Sequence, residues 1–368
     1  MAIKNRFVRF ICFLTPLVLC ICFSGCSINQ HPSTAPPTES PGTTETRNPV
    51  EKPKLDEGSF TLLIYMCGSS LESRNGAATK DISELLCAEI PDRVNIVIET
   101  GGAWKWKNYG ISYDKIQRYR VVDGALTLLE ENRLSSMGDA ETLRYFIDWG
   151  TATFPAEKTA LILWDHGGGF LRGICMDELY CDDWLTISEF DEALSSSHFD
   201  EKFEFIGFDC CLMANYETAR IVAKYADTMI ASEGDEPVDG WDYRAVAEAF
   251  GTSDFYDVVL KSFAKTSPDC ADYALSVINL SQLGNVSSVL SQCLDKAEAS
   301  GGDLSFAEAV KETQSIGSGF TYLYDLGDIA SYFGVDCDLG GVLKTEMPRA
   351  DAHSSWSGIC RAIRLRNQ

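Results

Sequence analysis

Two stretches decide how this chain reads: Leu161-Ile162-Leu163-Trp164-Asp165-His166-Gly167-Gly168-Gly169 and Phe205-Ile206-Gly207-Phe208-Asp209-Cys210-Cys211-Leu212-Met213. Each opens on an apolar run of strand length and closes on a reactive side chain where the strand should stop. An imidazole at one strand end and a thiol at the next are the base and nucleophile of cysteine-dependent hydrolysis. The interval between them has room for a loop and one helix, which suits a crossover between parallel strands.

Outward from these stretches, apolar runs and helical patterns alternate. Phe60–Met66 and Val94–Ile98 read as strands, separated by a helix over 76–89 with Ile82, Leu85 and Leu86 on one face. Residues 113–130 read as a hairpin turning at Asp123-Gly124. A helix over 140–150 with Asp139 as its N-cap precedes the His-bearing strand. Helices over 188–196 and 215–225 flank the Cys-bearing strand. A strand over 228–231, helices over 243–250 and 255–265 and a strand over 273–278 follow. The rest to about 333 reads as mainly helical. Such alternation predicts an α/β sandwich with a mostly parallel sheet. In open sheets of this kind the working crevice lies beyond the carboxyl ends of the strands, where His166 and Cys211 both fall.

The histidine is chosen by elimination among four. His31 lies in a polar N-terminal stretch, His198 ends a polar helix and His353 lies near the C-terminus. Only His166 has a buried strand before it and glycines after it. Gly167 to Gly169 leave no side chain in the way of backbone N–H groups that would hold an oxyanion. The thiol is harder to choose. Side chains alternate along a strand, so Cys210 and Cys211 point to opposite faces, and alternation does not say which meets His166. Asp209 shares a face with Cys211. A carboxylate there opposes thiolate formation but suits a cationic substrate group. Its other reading is a cap for the following helix.

The two motifs, with Glu236-Pro237 and Gly240-Trp241-Asp242-Tyr243 downstream, resemble the clostripain-like cysteine peptidases over roughly residues 60–333. The resemblance implies a caspase-like αβα fold. It matches Asp209-Cys210-Cys211-Leu212-Met213 to the family's Asp-Ala-Cys-Leu-Met, which makes Cys211 the nucleophile and Cys210 a small buried residue. His166 is then the proton shuttle, and the N–H groups of Gly167 and Cys211 are the oxyanion donors. It further implies an endopeptidase that cuts after Arg or Lys, with Asp209 and an acid of the downstream loop receiving the basic side chain. Asp239 is the expected second acid, with Asp235 and Glu236 as rivals. A peptide-binding protein that keeps the fold without catalysis is the alternative, and an intact Cys and His argue against it. Some relatives need calcium, and Asp177, Glu178, Asp182 and Asp183 carry suitable oxygens, but no EF-hand spacing appears and no cofactor or metal is expected. Self-cleavage between the motifs would need a basic residue, and only Arg172 and Lys202 are available in an interval whose middle is acidic.

The ends of the chain read differently. Lys4, Arg6 and Arg9 precede an apolar segment at 10–23, too short to span a bilayer and typical of an export signal. Phe23-Ser24-Gly25-Cys26 resembles the bacterial lipobox, which implies cleavage before Cys26 and lipid attachment to its thiol. The expected organisation is a lipoprotein signal at 1–25, a Ser/Thr/Pro-rich tether at 26–58, a peptidase domain at 59–335 and a segment of unassigned structure at 336–368. The chain would then be exported and anchored on the outer side of the cell membrane. Ile359–Leu365 is a candidate last edge strand. Cys175 and Cys181 are a candidate loop-spanning pair. A formal charge of −23 excludes nucleic acid as a natural partner and favours basic peptides.

Overall fold

Apolar runs become strands here, and the strands find one another by burial on both faces. A computed structural model describes residues 57–266, 274–313, 315–318, 321–337, 343–346 and 360–362. The signal segment, Cys26 and all but the last two residues of the tether lie outside the described residues.

Strands β1 (Phe60–Cys67) and β2 (Val94–Gly101) pair in parallel along their whole length. The hairpin of β3 (Lys115–Val122) and β4 (Ala125–Arg133) closes that edge. Its turn residues Asp123 and Gly124 both have positive φ, 49° and 71°, the conformation that Asp-Gly adopts most readily. The chain then returns to the other side of β1 with β5 (Lys158–Trp164). A small hairpin of β6 (Ile174–Asp177) and β7 (Asp183–Leu185) follows. Beyond it come β8 (Phe203–Asp209), β9 (Ala226–Ser232) and β10 (Leu275–Asn279). Strands β11 (Ser315–Ser318) and β12 (Thr321–Asp325) pair with each other, β13 (Leu343–Glu346) joins β10, and β14 (Cys360–Ala362) joins β12.

The main sheet has nine strands in the order β13-β10-β9-β8-β5-β1-β2-β3-β4. The five strands from β9 to β2 run parallel, and antiparallel strands flank them on both sides. Alternation along β1 sends Leu63, Tyr65 and Cys67 into one core and Leu62, Ile64 and Met66 into the other. The first core is roofed by α2 (Ala140–Thr153), α4 (Ile187–Ser196), α5 (Tyr216–Val222), α8 (Leu283–Ser300), α9 (Asp303–Glu312) and α10 (Leu326–Tyr332), with the one-turn α3 (Gly169–Arg172) near the strand ends. The second core is roofed by α1 (Ala77–Leu86), α6 (Tyr243–Ala249) and α7 (Phe255–Thr266). The result is a caspase-like αβα sandwich.

Caps set the helix starts. Asp139 accepts from Glu141 N at 2.8 Å, and Thr186 with Glu189 forms a reciprocal capping box. Asn215, not Asp209, caps the helix after the Cys-bearing strand, accepting from Thr218 N at 2.9 Å. The stretch to 333 is less helical than its composition suggests, because β11 and β12 lie within it. Of the C-terminal candidate strand, residues 360–362 form β14.

Candidate active site

Three neighbouring strand ends build the site. The order of the sheet reverses between β1 and β5, because the chain lays β2 on one side of β1 and β5 on the other. That reversal opens a crevice beyond the carboxyl ends. Ser69 and Ser70 follow β1, His166 follows β5, and Cys211 follows β8.

Register brings the last two together. Trp164 is opposite Asp209, and Asp165 N donates to Asp209 O at 3.3 Å. His166 and Cys211 each lie two residues past that pair. Gly167 then runs against the Cys211 backbone so closely that a Cβ there would lie 2.0 Å from the Cys211 carbonyl oxygen. Only glycine allows this approach. The loop is pinned by Cys175 N donating to His166 O at 3.2 Å and Gly168 N to Gly173 O at 2.9 Å. On the other side, Leu212 takes φ +66°, rare for a leucine, as the chain turns away from Cys211. Leu212 N donates to Gly234 O at 2.9 Å, which ties the turn to the loop after β9.

The two cysteines part ways as alternation requires. Cys210 is buried in the first core, its thiol directed at Leu163 O at 3.4 Å. Cys211 is part-exposed, and Glu236 N donates to its sulfur at 3.2 Å. The Gly167 N–H also acts on that sulfur. Burial nevertheless pushes the Cys211 thiol up to about 11, with Asp235 and Asp209 adding to the rise and the two N–H groups opposing it. His166 is half-buried, and its Nε2 lies 3.0 Å from Ser70 Oγ. Burial, with the charges of Arg74 and Arg172, lowers its pKa against the pull of Glu178 and Asp182. Burial thus disfavours the charged form of each, the thiolate and the imidazolium. Behind them, the hydroxyl of Ser69 donates to the buried carboxylate of Asp165.

Beside Cys211, on the face of the second core, lies a cluster of buried acids, the acidic recess, covered by Gly240. Asp209 is 5% exposed. Burial raises its pKa, against the nearby Glu236, Tyr243 and Trp241 N–H. Glu236, on the loop after β9, carries its carboxyl into the same recess, and burial and then Asp209 raise its pKa well above normal. Tyr243 Oη approaches Asp209, but its geometry falls short of a hydrogen bond. Gly240, at φ +55°, sits on Asp209, where a Cβ would lie 3.0 Å from Oδ1. Asp239 is not in this recess. Its side chain is 56% exposed and pairs with Lys80 Nζ at 2.7 Å on the surface of α1. Two residues of the same loop thus differ in depth, and the loop then goes on to bury Trp241 against Gly207.

Three of the four acids of the β6–β7 hairpin accept from protein donors. Asp177 accepts from Met137 N and Leu179 N at 2.8 Å each, Glu178 from Trp104 N at 2.7 Å, and Asp183 from Ser136 Oγ at 2.7 Å. Asp182 is exposed with φ +58°. Among the described residues, no group of three or more His, Cys, Asp or Glu is placed to hold a metal ion. Cys175 is buried and Cys181 exposed, and both are free thiols. Arg172 stacks its guanidinium on Trp184, 4.5 Å from the ring centre, and Lys202 Nζ reaches Ala223 O at 3.3 Å.

Sequence reasoning overlooked Ser70 and Asp81. Ser70 reads as the end of a strand, and its relevance needs the knowledge that β1 neighbours β5. Asp81 had a local signal, since it falls between Ala78 and Leu85 on the apolar stripe of α1.

Comparison with known proteins agrees with this architecture. The model of the clostripain family matches residues 64–335. Clostripain of Hathewaya histolytica is 31% identical over 149 residues, which is 34% of this chain and 27% of that protein, so the match spans about a quarter of the curated relative. A secreted C11 cysteine protease from Bacteroides thetaiotaomicron, solved with an irreversible peptide inhibitor, superposes with a TM-score of 0.64 at 18% identity, over 84% of this chain and 94% of its own. An inactive zymogen C11 protease from Parabacteroides distasonis gives 0.60 at 23% identity, over 83% and 89%. These structures share the fold of this chain. With most of the domain matched by one family's pattern, and the histidine and cysteine motifs lying inside that match, the chain belongs to the clostripain family.

Proposed function

We propose that this chain is a cysteine endopeptidase that cleaves after Arg or Lys. The observation that carries the reading is the approach of Gly167 to Cys211, which sets the His-bearing and Cys-bearing turns against each other at one rim of the sheet. Ser70 Oγ engages Nε2 of His166, and in the tautomer protonated there the Nδ1 lone pair takes the thiol proton. Cys211 Sγ then bonds to the scissile carbonyl carbon, and the carbonyl electron pair moves onto oxygen. The N–H groups of Gly167 and Cys211 hold that oxyanion. Collapse breaks the C–N bond, and His166 gives its proton to the departing amine. Water, deprotonated by His166, cleaves the thioester and restores the thiol.

Burial holds the resting thiol up, so attack relies on His166 taking its proton as a base. Asp209, with Glu236 beside it, supplies the negative charge that a buried Arg or Lys side chain needs. Asp239, at the surface and paired with Lys80, is not given this role. Entry of a side chain requires Gly240 to lift off Asp209. The short apolar segment and the lipobox-like stretch ending at Cys26 support export and lipid anchoring on the outer side of the membrane. No cofactor enters this chemistry.

A library of peptides varied at P1 tests the reading. Cleavage should follow Arg or Lys. It should vanish in Cys211→Ala and persist in Cys210→Ala, whose thiol is turned into the core. Hydrolysis that survives at Cys211→Ala and disappears at Cys210→Ala would reverse the assignment.

A further inference from the structure

Asp81 is a charged group with no evident structural need for its charge. It is 1% exposed on the inner face of α1. One oxygen, Oδ2, accepts from Trp164 Nε1 at 2.7 Å. The other, Oδ1, is buried without a hydrogen-bond partner. An indole N–H needs one neutral acceptor, which an asparagine would supply as well. Asp81 instead keeps a carboxyl in a site where burial, and then Asp209, push its pKa well above normal.

The surroundings gather more polar groups in the same condition. Asp209 Oδ2, Glu236 Oε2 and Tyr243 Oη are also buried without partners. Burial, then the charges of Asp209 and Asp81, raise the pKa of Tyr243 well above normal. No salt bridge among the described residues involves Asp81, Asp209 or Glu236. Lys80, the residue before Asp81, pairs instead with Asp239 at 2.7 Å and Glu84 at 3.7 Å. Buried polar atoms are paired in nearly all folded proteins, so several orphans around one recess mark a place that is completed by something else. Acids that lack a cation call for a cation.

We propose that Asp81 forms the floor of the recess that receives the basic P1 side chain, and that it sets a preference for Arg over Lys. This rests on the reading of Asp209 as the P1 acid given above. The guanidinium is a planar fork with five N–H donors, and it can address carboxylates on two sides at once. Asp209 lies at the end of β8, in register opposite Trp164, and Asp81 of α1 accepts from that same Trp164, while Gly240 sits on Asp209. An arginine can donate to both. The lysine ammonium is a compact point charge that satisfies one acid well and leaves the other unpaired.

The test compares matched peptides ending in Arg or Lys at P1, in the wild-type chain and in Asp81→Asn. Asparagine keeps an acceptor for Trp164 Nε1, and a thermal melt checks folding. The wild type should favour Arg by about tenfold or more in kcat/KM, and Asp81→Asn should bring the Arg-to-Lys ratio to about one, chiefly through KM for the Arg peptide. A wild-type chain that prefers Lys, or treats the two alike, overturns the inference without any variant. So does an Asp81→Asn chain that folds and keeps its ratio. If that variant fails to fold, Asp81→Ser combined with Trp164→Phe removes both partners of the hydrogen bond and is read the same way. Asp209→Asn separates the two levels. Basic selectivity that survives it sinks the P1 assignment itself. Basic selectivity lost there, with the Arg-to-Lys ratio intact in Asp81→Asn, sinks the Asp81 inference alone.

Discussion

A single hydroxyl has an outsized place in this site. Ser70 Oγ is 3.0 Å from His166 Nε2, at the end of the strand beside the one that carries the histidine. Such a contact fixes ring orientation and tautomer. Loss of one hydrogen bond of this kind is worth about 1 to 1.5 kcal/mol, so Ser70→Ala should lower kcat by about tenfold. KM should barely move, since Ser70 does not face the acidic recess. With an acceptor removed from Nε2, the imidazolium loses support and the acid limb of the kcat profile should shift to lower pH. Ser70→Thr should restore both. A pH–rate series on the three proteins reads all of this, and a purely structural serine would leave the limb where it was. The chemistry of Cys211 against Cys210 is decided at the same scale. One residue of alternation sends one thiol into the core and the other to the rim.

At the scale of elements, strands β2, β3 and β4 are joined by charge as well as by their ladder. Arg118 on β3 reaches Glu99 on β2 at 2.6 Å and Glu130 on β4 at 3.0 Å, and its guanidinium lies 4.8 Å from the Trp149 ring of α2. Glu99 is fully buried, and its pKa rises to about 7 because burial outweighs the pull of Arg118. Breaking such a pair from one side strands a buried charge, so Arg118→Met should cost about 3 to 5 kcal/mol at pH 8. The cost should shrink toward pH 5, where Glu99 takes up a proton. The double variant Glu99→Gln with Arg118→Met should recover most of the loss. Denaturant titrations of the variants at the two pH values measure the coupling. The hairpin that supplies β3 and β4 was visible from Asp123-Gly124, but the ion pair was not. Glu99 looks in sequence like a polar residue at the end of a strand, and its burial follows only from β3 being laid beside it.

For the whole molecule, buried acids set the response to pH. Burial raises the pKa values of Asp81, Asp165, Asp177, Asp209 and Glu236. For a group whose folded value exceeds its unfolded value, the favourable contribution is complete below the unfolded value, about 4 for a carboxylate, and is lost as pH rises through the folded value. These acids therefore favour the folded state in acid and weaken it toward neutrality. Asp209→Asn should raise Tm at pH 8 while changing it little at pH 5, and thermal melts at the two values check this. The same variant should lose cleavage after basic residues, the usual relation between a strained site and its function. Equal effects at both pH values would mean that Asp209 is not held in a charge-hostile recess.

By itself the sequence determined the strand and helix alternation, the sandwich it implies, and the two motifs at strand ends. These rest on local periodicity and on which residues can follow a buried strand, so they survive without coordinates. The choice between acids did not. Glu236 and Asp239 stand three residues apart in one polar loop, yet one points into the recess and the other pairs with Lys80 at the surface. Nothing local separates them, because their partners come from elsewhere in the chain: Glu236 N donates to Cys211 Sγ after β8, while Asp239 is held by Lys80 of α1. Ser70 and Asp81 became meaningful for the same reason. Their partners, His166 and Trp164, belong to a strand that only the folded sheet sets beside β1.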